Sequence, residues 1–155
     1  MKTIKCISTL FILTITVLFS GCKKDETKPV GTTSKVPTLT AKDWLLIASK
    51  GEALGTTFDI YEKMEACLKD NLTKYNTDNT ITVKSGVVKC VPNEPASFSG
   101  GGWVLLENES KIRIINMGDT SIWAFATLNA TTLKLVYTDN SGSITQTITN
   151  TYSAQ

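Results

Sequence analysis

The chain predicts an all-β fold, a small up-and-down barrel of about eight antiparallel strands, and three observations predict it. From residue 41 onward, short apolar or alternating runs rich in β-branched and aromatic residues are separated by Gly, Asn, Asp and Ser clusters. This is the pattern of strands and tight turns. The turns recur about every ten residues over the last third of the chain, which suits a meander of hairpins. Two cysteines, Cys67 and Cys90, are placed to staple a domain of modest size.

The first 21 residues predict a signal peptide. Lys2 and Lys5 precede an apolar run from Ile7 to Phe19, which ends in the small residues Ser20 and Gly21. At about 13 residues the run falls short of the roughly 20 that cross a bilayer as a helix. Phe19-Ser20-Gly21-Cys22 resembles the lipobox of bacterial lipoproteins, in which the cysteine is lipidated and becomes the first residue of the mature chain. That resemblance implies membrane attachment through Cys22, since buried acyl chains contribute about 0.8 kcal/mol per methylene. Residues 22–39 then read as the lipidated cysteine and a flexible tether rich in Thr, Ser, Lys and Pro, without apolar periodicity. Lys23-Lys24-Asp25-Glu26 resembles the surface-export signal of Bacteroidetes lipoproteins, and it also reads as an ordinary charged spacer. The expected location is therefore the outer membrane, lipid-anchored, on its periplasmic or its cell-surface face.

Residues 40–155 remain for a single folded domain. Residues 43–49 and 57–61 predict two strands, 62–70 one or two helical turns, and 72–76 with 80–90 a hairpin about Asp78-Asn79. Residues 92–102, rich in Pro, Ser and Gly, predict a long loop. Five further strands are expected at 103–107, 111–117, 120–128, 132–137 and 143–152, with turn residues at each break. Side chains that share parity within these strands would point inward: Trp103 with Leu105, Ile112 with Ile114, Trp123 with Phe125, Leu133 with Leu135 and Tyr137, and Ile144 with Ile148. Barrels of this size span the boundary between a filled interior and one that holds a ligand.

Composition narrows function by exclusion. Among 155 residues there are 16 basic and 14 acidic side chains, and outside the signal the two signs balance. Arg113 is the only arginine and the lysines are scattered, so no nucleic-acid partner is expected. Histidine is absent, which removes the commonest general base and metal ligand; no catalytic residue, metal or cofactor is expected. With Cys6 in the signal and Cys22 given to lipid, Cys67 and Cys90 form an even pair in an oxidising compartment and are expected to bond. Asp59, Glu62, Glu65 and Asp70 cluster in sequence, a pattern that a glycan-cleaving carboxylate pair would need and that a solvated face beside Lys63 and Lys69 also explains.

Leu39-Thr40-Ala41-Lys42-Asp43-Trp44 resembles the opening of lipocalin-like domains, although the glycine usual about two residues before the tryptophan is missing. Cys67-Leu68-Lys69-Asp70-Asn71, Cys90, Gly102-Trp103 and the closing hairpins are similar to the lipocalin-like lipoproteins of Bacteroidetes. The resemblance implies that Trp44 closes the base of the barrel, and that the domain is a non-catalytic binder of a small hydrophobic ligand. Trp103, Leu105, Ile114, Trp123, Phe125, Leu135 and Tyr137 are the expected lining. The alternative is a solid barrel that acts through its loops, residues 51–55 and 92–102, as a protein-interaction module or protease inhibitor.

Overall fold

The structure, a computed structural model, describes residues 33–155. The expected signal peptide, the expected lipidation site Cys22 and most of the expected tether lie outside the described residues. The described part opens with a short helix, α1 (Val36–Ala41), and continues as β1 (Asp43–Ala53), β2 (Thr56–Asp59), the single helical turn α2 (Ala66–Lys69), β3 (Leu72–Tyr75), β4 (Thr80–Lys84), β5 (Ser97–Leu106), β6 (Lys111–Asn116), β7 (Asp119–Leu128), β8 (Thr132–Asp139) and β9 (Gln146–Ala154). All pairings are antiparallel, and the spatial order β2-β1-β3-β4-β5-β6-β7-β8-β9 is closed by a long β1–β9 ladder. The result is an eight-stranded barrel with β2 as an additional strand.

β1 shares one edge between two neighbours. Its first residues pair with β3, from Asp43 opposite Lys74 to Leu45 opposite Leu72, and its last four, Lys50 to Ala53, pair with β2. Where β1 parts from β3, the Ile60 and Tyr61 amides donate to the Ser49 carbonyl, and the Cys67–Cys90 disulfide ties segment 60–71 to segment 85–96 with 5.1 Å between the two Cα atoms. Closing that loop stabilises the fold by roughly 3 kcal/mol through the unfolded chain.

Three bulges set which side chains face inward. Pairing on β9 jumps from Leu46 to Ala48, so Ile47 is extra. Parity reverses there: Trp44 and Leu46 point in below the bulge, and Ser49, Gly51 and Ala53 point in above it. Without the bulge Ala48, Lys50 and Glu52 would face the interior. Ala126 on β7 plays the same part, turning Thr127 out and Leu128 in beside Leu133. On β5 the extra residue is Gly100. Its neighbour Gly101 has φ +95°, and a side chain there would collide with the Ile115 carbonyl oxygen. Only glycine fits both demands.

The end of the barrel where β1 begins, here the base, is sealed. Leu39, Trp44, Tyr75, Ile81, Trp103, Ile112, Leu133 and Leu135 form one buried cluster. Leu39 comes from α1, whose Pro37 occupies the first turn, a position that tolerates a missing N–H. The Trp44 indole donates to the Leu39 carbonyl at 2.8 Å, and the Trp103 indole donates to the Asn76 carbonyl at 3.1 Å. Each large ring thus buries its body and satisfies its one polar atom.

Several expectations are corrected. Residues 36–39, assigned above to the tether, are helical, and Leu39 is fully buried in the core. A proline among threonines gave no sign of this, because one apolar side chain per turn is all so short a helix needs. The segment 92–102 is not a loop throughout: residues 97–102 form the first half of β5 against β4. The hairpin strand expected at 80–90 ends at Lys84, and the last strand starts at Gln146, which leaves Ile144 on a loop with 40% of its surface exposed.

Candidate ligand site at the open end of the barrel

Opposite the base, the inward side chains of Trp123, Tyr137 and Ile148 are half-buried, where the cluster below them is fully buried. Trp123 packs on the core cluster beneath it and lies against Tyr137, with ring centroids 5.3 Å apart. Tyr137 pairs with Ile148, and Ile148 pairs with Gly51, so all three face the same upper interior. Gly51 has no side chain because the Phe58 ring of β2 lies across it. Phe98 of β5, opposite Val83, completes the rim, and Phe58 and Phe98 are each 41% exposed. Four aromatic rings from four strands therefore surround this mouth.

Beneath them lies a line of neutral polar groups. Ser49 donates through Oγ to Asn150 Oδ1 at 2.7 Å, and Asn150 Nδ2 donates to the Tyr152 hydroxyl at 3.4 Å. Burial pushes the phenols of Tyr75 and Tyr152 above the ordinary tyrosine value, and their mutual proximity adds to the effect on Tyr75. Both remain un-ionised at neutral pH. Among the described residues, the hydroxyls of Tyr75 and Tyr137 have no hydrogen-bond partner. Ser121 accepts from the Trp123 indole at 2.8 Å.

Charge is kept out of this space. Among the described strand residues, the only inward-facing positions with a charged side chain are Asp119 and Asp139, both at the rim. Asp139 accepts from Ser141, which holds its carboxyl below the ordinary range. The lysines of the strands and Arg113 alternate outward.

The structure divides the seven side chains that the sequence pointed to. Trp103 and Leu135 are fully buried in the base, and Leu105 and Phe125 pack around it, the Phe125 ring with Lys35 Nζ 5.8 Å from its centroid. Ile114, Trp123 and Tyr137 reach the mouth. Sequence reasoning missed Ser49, Phe58, Phe98 and Asn150. Phe98 was hidden in a segment read as loop. Ser49 was hidden by the Ile47 bulge, since continuing the parity of Trp44 and Leu46 puts Ala48 inside instead.

The acidic cluster serves the backbone. Asp59 accepts from the Glu62 amide at 2.8 Å, Lys69 donates to the Glu62 carbonyl, and Asp70 accepts from the Val88 amide at 2.9 Å. Glu94 is the hub of the disulfide-bearing loop: it accepts from the Cys90 amide and the Ser85 hydroxyl, which lowers its carboxyl below the ordinary range. A separate groove of about 380 Å³ runs along the outer wall, lined by Lys111, Ile122, Ala124, Val136, Thr138 and Asn140. It shares no residue with the mouth.

Two hairpin turns at the mouth differ from those at the base, while the β8–β9 turn at the mouth, with Asn140-Ser141-Gly142, is polar like the base turns. Leu54-Gly55 and Met117-Gly118 both have positive φ at the two central residues, the geometry for which Asn-Gly is preferred, and both place an apolar side chain at the tip. Leu54 is 79% exposed and Met117 95%; Val87, on the disulfide-bearing loop, is 94% exposed. The base turns carry Asp78-Asn79, Glu107-Asn108-Glu109 and Asn129 instead. Comparison with protein-family models and with curated proteins finds no match to this chain.

Proposed function

We propose that the protein is a membrane-anchored, non-catalytic lipoprotein of lipocalin-like type, attached through Cys22 to the outer membrane, whose barrel takes a small hydrophobic ligand at its mouth. One observation supports this reading above the others: the upper interior is lined by Trp123, Tyr137, Phe58 and Phe98, half-buried or exposed, over a base sealed by its own core. A concave apolar lining with a few convergent polar groups is what small-molecule sites share. Enclosing about ten methylenes would contribute roughly 8 kcal/mol gross. Several kcal/mol of that is lost on association, which gives micromolar affinity.

The test is native mass spectrometry of residues 23–155, exported to a bacterial periplasm behind a signal peptide that is cleaved without lipidation, and purified without detergent. A co-purifying apolar species of defined mass, lost in Trp123→Ala, is the expected result. Bare protein that also fails to take up added apolar compounds would remove the reading. For the anchor, incorporation of labelled fatty acid should depend on Cys22 and vanish in Cys22→Ala. Protease treatment of intact cells separates the cell-surface face from the periplasmic one.

The exposed side chains of Leu54, Val87 and Met117 on three separate mouth loops favour a second reading, a protein-interaction or protease-inhibiting module. Inhibition of secreted proteases that is lost in Val87→Ser, with ligand uptake unchanged, would establish it.

A further inference from the structure

Resting on the ligand-binding reading, the geometry points to a ligand that is an uncharged amphiphile, an apolar body carrying a hydroxyl, carbonyl or amide, and not a fatty acid or other organic anion. The polar groups beneath the mouth are the Ser49 hydroxyl, the Asn150 amide and the Tyr152 phenol, one hydrogen-bonded line of uncharged groups. They can donate to and accept from a neutral polar group. No inward-facing strand position among the described residues supplies a cation to a buried carboxylate, and an unpaired buried charge is strongly unfavourable.

A ligand that kept its anionic head at the surface would fare no better. There it meets Asp119 and Asp139, the two carboxylates on the inner side of the rim. The bulge at Ile47 produces this chemistry, because it turns Lys50 and Glu52 outward and brings Ser49 opposite Asn150. An interior made only of hydrocarbon would not distinguish an alkane from an alcohol. This one has a hydrogen-bonding floor at a fixed place.

The experiment is isothermal titration of residues 23–155, with the disulfide formed, using dodecan-1-ol, dodecane and dodecanoate at about pH 8, where the acid is ionised. The alcohol should bind at least about tenfold more tightly than dodecanoate. Acidification to about pH 4 should close most of that gap as the carboxyl protonates. Asn150→Leu, which replaces an amide by a side chain of similar volume, should remove the preference for alcohol over alkane while dodecane still binds. Dodecanoate binding as tightly as the alcohol at about pH 8, or an alcohol preference that survives Asn150→Leu in folded protein, would overturn the inference and leave the binding reading in place. Absence of binding by all three would remove both.

Discussion

The two ends of this barrel are built from the same strands by opposite rules. At the base Leu39, Trp44, Trp103, Ile112, Leu133 and Leu135 are buried and both indole N–H groups have a carbonyl: Trp44 reaches Leu39, and Trp103 reaches Asn76. At the mouth, aromatic side chains on the same inward parity stay half-exposed, and the hairpin tips carry Leu54 and Met117 where Asn would sit with less strain. The base turns use Asp, Asn and Glu. Glu107, Asn108 and Glu109 hold three successive left-handed residues, and the Glu109 carboxylate accepts from the Ser34 hydroxyl and the Lys35 amide, pinning α1 beneath the barrel. One end is arranged for stability; the other keeps apolar surface open to solvent at some cost to stability, which is where binding surfaces are found.

The largest effect that would break this division is deletion of Ile47. Losing the extra residue turns Lys50 and Glu52 into the upper interior, or else slides the whole β1–β9 ladder by one residue. Either costs more than the about 5–15 kcal/mol that holds a domain together, so no soluble folded protein is expected. Ile47→Thr, at a position 46% exposed, should fold with nearly unchanged urea midpoint.

Trp44→Ala should cost about 3–5 kcal/mol, because it empties a fully buried site and orphans the Leu39 carbonyl. Trp123→Ala should cost only about 1–2 kcal/mol, since the ring already has one open side. Parallel urea denaturation of the two variants measures the contrast directly. Equal losses would mean that the mouth is as tightly packed as the base.

Alkaline titration separates the buried phenols from the rest. The folded-state pKa values of Tyr75 and Tyr152 lie above that of a free tyrosine. Their contribution is complete below about pH 10, the unfolded value, and is lost as pH rises through the folded values. The tyrosinate absorbance of these two should appear only together with unfolding. The carboxylates act in the other direction. Glu109 at the base and Glu94 at the mouth are both held below the ordinary range, so each stabilises its contacts above the unfolded carboxyl pKa, and that support fades as pH falls through the folded value.

How much of this was readable in the sequence follows from what alternation can report. Trp103 with Leu105, Ile112 with Ile114 and Leu133 with Leu135 lie within uninterrupted strands, and their inward parity was legible, as was the disulfide from the cysteine count. The bulges were not, because an inserted residue such as Ile47 or Ala126 is itself an ordinary strand former, and only the partner's register exposes it. That is why Ser49 could not be named from sequence, whereas Asn150 shares the inward parity of Ile148 and was passed over because an amide does not mark an interior position. Residues 97–102 were lost to a loop because Ser and Gly weigh against a strand, whereas here Gly101 relieves a close approach to the Ile115 carbonyl of β6 and Gly100 one to the Ile81 and Val83 side chains of β4. α1 was lost because proline and threonine read as tether.

The smallest effect sharpens the comparison from the other side. Met117→Asn gives the Met117-Gly118 turn the residue its left-handed backbone favours and removes an almost fully exposed side chain. A gain of about 0.5–1 kcal/mol in unfolding free energy is expected. A loss would show that Met117 packs on something that stabilises the mouth.

The most direct test of the account uses the three tryptophans as reporters of the two ends. In proton–nitrogen correlation spectra the indole signals of Trp44 and Trp103 report the base and that of Trp123 the mouth, assigned with Trp123→Phe. Titration with dodecan-1-ol should shift the Trp123 signal and leave the other two in place. A shift confined to Trp44 or Trp103, or no shift in any of them under saturating ligand, would contradict it.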